Sequence, residues 1–273
     1  MTGADVAPAA ELLRRGSWGE RESFFRYAVE QPFVRPVVAE RDGAVVGTGV
    51  ASAHGPAGWV GTVFVAESQR GQGLGRALTE AAVAELGAMG CRTLVLVATD
   101  LGRSVYERLG FETRTFYQTL ELEGRPADES EAPDDAIRPF AASDVDEAAA
   151  LDAAATGEQR RAVLAAMVGV DGGLALRSGA GTLDGYVLRA PWGGGATVAS
   201  STGAALRLLE ARRLRAGPEH VVRAGLPIEN QAGIAALETA GWRRTWSARR
   251  MELGPRLAWR PEWLWGQFNM AIG

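Results

Sequence analysis

The segment Gln69-Arg70-Gly71-Gln72-Gly73-Leu74-Gly75-Arg76-Ala77-Leu78 places three glycines at alternate positions between a strand-like apolar run and a helix-like one. Glycine has no Cβ, so the backbone there can turn tightly and come close to a ligand. The first N–H groups of a helix have no partner within the helix, and they sit at the positive end of its dipole. A glycine-rich loop that feeds such a helix end is a cradle of donors suited to a pyrophosphate. Two other phosphate loops fail on the residues. A Walker A loop needs a lysine, and the chain contains none. A dinucleotide fingerprint counted from Gly71 needs glycine at its sixth place, where Arg76 stands, and it belongs to a parallel βαβ unit.

The elements around this loop follow from pattern. Residues 8–31 read as helical, with Leu12, Leu13, Phe24, Phe25 and Tyr27 as apolar positions. Residues 36–53 read as a β-hairpin, Val37–Glu40 entering and Val45–Val50 leaving a turn at Asp42-Gly43. Gly58–Ala66 forms a third strand, and a helix runs from about Leu74 to Gly87, where Gly87 and Gly90 are stop signals. Strand 91–98, helix 102–109 and strand 112–122 complete this half. The single cysteine, Cys91, opens an apolar run and reads as a buried strand residue, with a reactive thiol as the alternative. Because one cysteine permits no internal disulfide, a reducing, cytoplasmic setting is expected.

Here the chain resembles the GNAT superfamily of N-acetyltransferases. Gln69, Arg70, Gly73 and Gly75 satisfy the family's Gln/Arg-x-x-Gly-x-Gly/Ala loop, and Tyr106 followed by Gly110-Phe111 matches a second family element. The resemblance covers residues 4–122 and implies a mixed, mainly antiparallel twisted sheet flanked by helices. It implies acetyl-CoA as co-substrate and no metal. Around the loop, Arg70, Gly71, Gln72, Gly73, Leu74, Gly75 and Arg76 would hold the pyrophosphate, largely through backbone N–H groups. Backbone atoms of Val63, Phe64 and Val65 would pair with the pantetheine arm. Tyr106 would protonate the departing thiolate, the alternative being a core aromatic on an amphipathic helix. The residues do not identify the group that takes the amine's proton. His54 in a Gly-rich turn, Glu67, Asp100 and a chain of waters all stand as candidates.

The second half repeats the first. Ala4–Leu12 parallels Ser143–Leu151, while Gly110-Phe111 parallels Gly241-Trp242 and Leu120-Glu121-Leu122 parallels Met251-Glu252-Leu253. A duplicated α/β (α+β) architecture is therefore expected, with domains at 1–124 and 137–273 joined by an acidic, proline-containing linker at 125–136 that should be exposed and mobile. A short strand at Ala136–Pro139 precedes the second half's first helix. The first half is expected to lack that strand, through a start codon set too late or because the strand is dispensable. In the second half Val198-Ala199-Ser200-Ser201-Thr202-Gly203-Ala204 lacks the loop spacing, and Leu237 stands where Tyr106 does. This half resembles the degenerate domain of tandem GNAT proteins, where Ala155–Arg160 also has counterparts. It would wall the acceptor site or mediate association. The aromatic stretch Trp259–Phe268 reads as core or interdomain packing, with an acceptor pocket as the alternative.

A net charge of -4 argues against a nucleic-acid partner. No apolar run is long enough for a membrane span, and Met1–Asp5 lacks the features of a signal peptide. The expected partner is a small-molecule amine acceptor, with the chain as monomer or homodimer. The alternatives are a non-catalytic acyl-CoA sensor and an acetyltransferase acting on a protein or peptide.

Overall fold

A computed structural model describes residues 1–126, 134–179 and 181–273. Most of the expected linker, and with it the mobility expected there, lies outside the described residues. The chain divides into two compact units. One comprises Met1–Arg114, Arg249–Arg256 and Met270–Gly273, and the other Thr115–Ala248 and Leu257–Asn269. A single cut at 125–136 does not produce this division, because the first unit takes Arg249–Arg256 and Met270–Gly273 from the end of the chain and the second begins at Thr115, within the strand Glu112–Glu123.

In the first unit, helices α1 (Val6–Arg15) and α2 (Glu22–Glu30) precede the strands β1 (Val34–Arg41), β2 (Ala44–His54) and β3 (Ala57–Val65). The helical stretch expected over 8–31 is interrupted at Gly16–Arg21. Ser17 and Gly19 hold positive φ angles of 62° and 72° there, which a helix cannot accommodate. The β1–β2 turn is as the sequence dictates, since Asp42 and Gly43 both have positive φ, the requirement of a two-residue hairpin turn. Helix α3 (Leu74–Ala88) then leads to β4 (Thr93–Ala98), which runs parallel to β3. Helix α4 (Asp100–Arg108) follows, its first turn capped by the Thr99 hydroxyl, which accepts from the Gly102 N–H. The far edge of β4 is covered by Arg249–Leu253 in antiparallel register. One face of this sheet carries a core of Ala51, Val60, Ala82, Leu86, Leu94, Leu96, Tyr106, Phe111 and Met251. Cys91 lies just before β4 rather than within it and is only partly buried.

The second unit follows the same order. Strand β6 (Ile137–Pro139) precedes α5 (Val145–Thr156) and α6 (Arg161–Ala166), then β7 (Leu174–Arg177), β8 (Leu183–Val187) and β9 (Thr197–Ala199). Helix α7 (Thr202–Ala216), strand β10 (Val221–Pro227), helix α8 (Gln231–Thr239) and the first part of strand β11 (Arg243–Leu253), up to Ala248, come next. Strand β10 pairs with residues Tyr117–Glu123 of β5 (Glu112–Glu123). The aromatic stretch forms β12 (Leu264–Gly266), whose Trp265 is buried in this unit's core with Leu208, Leu226, Leu237 and Trp242. No helix among the described residues is long and apolar enough to cross a membrane.

A fully buried ion pair fixes the α5–α6 connection. Arg160 donates to both carboxylate oxygens of Asp152, at 2.9 and 2.6 Å, and Tyr186 donates its hydroxyl to the same carboxylate. Glu158 is buried beside them, and the Arg160 guanidinium lies over the Phe268 ring. Removing one partner of a buried pair leaves an uncompensated charge, a loss of ~3–5 kcal/mol. Arg160→Met is accordingly expected to lower stability by about that amount in urea denaturation. Arg161→Met, which alters an exposed pair with Asp146, should change it by less than ~1 kcal/mol.

Candidate functional site

Strands β3 and β4 are hydrogen-bonded over only three residue pairs, Ala57–Trp59 against Thr93–Val95. Beyond Trp59, β3 continues to Val65 paired on one side alone, with β2. A strand edge of this kind presents a row of backbone donors and acceptors. A bulge falls within the same stretch: Val50 stands opposite Gly61 and Thr48 opposite Phe64, so Thr62 and Val63 face the single residue Gly49. Thr62 takes a positive φ of 50°, unfavourable for a β-branched residue by roughly 1–2 kcal/mol. Its carbonyl accepts from the Thr48 hydroxyl at 2.8 Å, which holds the bulge in place. Bulges break the ladder locally and re-aim backbone groups. Of the three residues expected to pair with an extended ligand, Val63 and Val65 lie on the open edge, whereas Phe64, opposite Thr48 in the ladder that continues with Ala66 N–H to the Val46 carbonyl, turns its backbone groups to β2.

The glycine loop follows directly. Gly71 and Gly73 have φ of 77° and 82°, and a Cβ on either would meet no protein atom within 4 Å. The glycines are therefore required by backbone conformation, and the space above them is open. Gly73 forms the N-cap of α3, so no side chain caps that helix. The first intrahelical bond is Ala77 N–H to the Gly73 carbonyl, which leaves the N–H groups of Leu74, Gly75 and Arg76 at a bare helix end. At the corresponding helix of the second unit, α7, the Ser201 hydroxyl accepts from the Ala204 N–H.

Two arginines brace the loop. Arg41, at the end of β1, donates to the side-chain carbonyls of Gln69 and Gln72. The Arg70 Nε donates to the Val65 carbonyl at 3.2 Å, and its guanidinium lies over the Phe64 ring. Phe64 in turn packs edge-on against Trp18 in the α1–α2 connection. The Gln72 side chain is thereby turned to Arg41. Arg76 points along the helix surface to Glu80.

Tyr106 lies on the buried face of α4, in the cluster that also contains Ala98 at the end of β4 and against which Val63 packs. Burial pushes its hydroxyl pKa up to about 12. The candidate bases fare differently. His54 is not in an open turn: it is buried at the end of β2, its Nε2 3.2 Å from the Ser52 hydroxyl. It stands opposite Ala57, at the end of β3 away from the loop. Glu67 and Asp100 are exposed, at the start of the loop and of α4 respectively.

Residues 8–111 match the model of the acetyltransferase (GNAT) family. They form a GNAT-family domain. Solved structures that resemble the whole chain agree in fold. A Pyrococcus horikoshii protein provisionally named an acetyltransferase matches with a TM-score of 0.82 at 20% identity, over 100% of this chain and 94% of its own. A GCN5-related N-acetyltransferase from Sphaerobacter thermophilus matches with 0.64 at 17% identity, over 95% and 97%. A tandem GNAT protein from the clavulanic acid biosynthesis pathway matches with 0.62 at 19% identity, over 94% and 98%. A sequence comparison with curated proteins finds no match.

Three contributors to this GNAT site escaped the sequence reading. Thr99 carried a signal, a threonine immediately before an acidic first turn. Arg41 carried none, because its role depends on where the hairpin lands. The Thr62 bulge arises from pairing with β2. Arg41→Ala removes the brace from Gln69 and Gln72, and amide hydrogen exchange across residues 69–73 is expected to quicken several-fold. Exchange in β4 should be unchanged.

Proposed function

We propose that the GNAT domain transfers the acetyl group of acetyl-CoA to the amine of a small molecule, by direct attack of the neutral amine on the thioester. The observation that carries this reading is the continuity of the open β3 edge with the uncapped, glycine-framed end of α3. An extended arm bearing amides can pair along Val63–Val65 while the pyrophosphate at its other end meets the N–H groups of Gly71–Arg76. The helix end and the nearby Arg41 and Arg70 guanidiniums favour the negative charge. The open space at Gly71 and Gly73 fits a ligand that approaches the backbone closely.

The chemistry follows from that placement. The amine nitrogen forms a bond to the thioester carbonyl carbon as the carbon–sulfur bond breaks. The bulged backbone at Thr62–Val63 supplies polar groups beside the reacting carbonyl. Tyr106 donates its proton to the departing sulfur. A phenol raised to about 12 stays protonated throughout the range in which amines become neutral, so it is always in the form that can donate. The amine's proton leaves to solvent or to an exposed carboxylate. The buried position of His54, paired with Ser52 at the far end of β3, argues against its taking that proton.

Three outcomes test the reading. Gly73→Val places a β-branched residue at positive φ and a side chain in the pyrophosphate space, so calorimetry should find acetyl-CoA binding abolished with the fold retained. Unaltered affinity would refute the site. Tyr106→Phe should lower kcat by ~10²-fold or more with little effect on acetyl-CoA affinity. As for pH, the acid must be protonated and the amine must not be. Activity should therefore rise as the amine deprotonates and should show no falling limb from Tyr106 until pH approaches about 12. A loss of activity near neutrality that disappears in Tyr106→Phe would contradict its role. Turnover requires an accepting amine. Tight binding without turnover on any of a broad panel of small amines and peptides would favour a sensor instead.

A further inference from the structure

The second unit repeats the order of the first, and its counterparts of β3 and β4 are β9 and β10. Their relation differs. Strands β3 and β4 are paired at their start and then part, whereas β9 and β10 share no pairing and belong to separate sheets. The edge of β9 is not open. Strand β12 lies along it in antiparallel register, Leu264 opposite Val198 and Gly266 opposite Thr197, and β12 also packs against β10.

The anchoring of β12 is specific. Asn230, the N-cap of α8, occupies the place of Thr99 in the first unit. Its side-chain carbonyl accepts from the Gly233 N–H as a cap should, and its amide nitrogen donates to the Glu262 carbonyl at 3.1 Å. Gln267 donates from its side chain to the Gly225 carbonyl of β10 at 3.1 Å. Trp265 and Phe268 are fully buried on either side of Gly266 and Gln267. The loop has changed to match. Eight residues, 66–73, separate β3 from α3, whereas two, Ser200 and Ser201, separate β9 from α7. Ser201 caps the helix end that a pyrophosphate would need.

We infer that β12 is a permanent, intramolecular occupant of the second unit's cofactor groove. Residues 264–266 supply the backbone pairing along β9 that, on the reading proposed above, the pantetheine arm supplies along β3. The groove has become a strand-binding groove filled by the chain itself, and the protein takes one acyl-CoA per chain rather than two. The buried aromatic residues of this stretch, Trp265 and Phe268, then serve as the plug's anchors.

Two measurements on the full chain test this and keep it separable from the first-unit reading. In hydrogen exchange, the peptide covering residues 262–268 should be protected without ligand as strongly as the core strand β8, and saturating acetyl-CoA should not quicken it. Rapid exchange in the free protein, or release of this peptide on adding acetyl-CoA, would overturn the inference. Calorimetry with acetyl-CoA should give one site per chain, lost in Gly73→Val. Two sites, or one site that survives Gly73→Val, would also overturn it. Absence of all binding together with a protected 262–268 peptide would instead refute the first-unit reading and leave the plug in place.

Discussion

One backbone constraint governs both units: a strand edge cannot be left buried and unpaired. In the first unit, β3 pairs with β4 for three residues and then loses its neighbour, and every feature of the site is arranged around the edge so exposed. The Thr62 bulge sits on it, held by Thr48. The glycine loop continues from it, braced by Arg41 and Arg70. The core that contains Tyr106 packs beneath it. A ligand with an extended, amide-bearing arm answers the open edge, and a terminal pyrophosphate answers the bare end of α3.

The second unit meets the same constraint with its own chain. There β9 is paired by β12, and the α7 end is capped by Ser201. What distinguishes the two units is therefore less the exchange of Tyr106 for Leu237 than the pairing of β9 by β12 and the shortening of the loop. The buried Arg160–Asp152 pair and the Phe268 ring against it tie the α5–α6 connection to the same segment.

Much of this was legible in the sequence because the signals were local. The Asp42-Gly43 turn, the alternate glycines of 71–75 and the repeat of Gly110-Phe111 as Gly241-Trp242 each report a backbone requirement carried by the residues themselves. The GNAT loop could be read for that reason. What could not be read depended on long-range pairing. Nothing in Arg249–Leu253 says that it will cover β4, or in Tyr117–Glu123 that it will pair with β10, so a linear reading does not reveal where either unit begins and ends. His54 read as a turn residue because glycines flank its neighbourhood, yet its ring is buried against Ser52. Trp259–Phe268 was legible as packing, but its role as a strand in a groove was not, since that needs the partner β9.

The most direct test is amide hydrogen exchange at Val63 and Val65, with Phe64, whose N–H faces β2, as the internal reference, in the presence and absence of acetyl-CoA. If the open edge of β3 receives the pantetheine arm, exchange at Val63 and Val65 slows on saturation, together with that of Gly71–Arg76. Slowing confined to the glycine loop, with Val63 and Val65 unchanged, would contradict pairing of the ligand with β3.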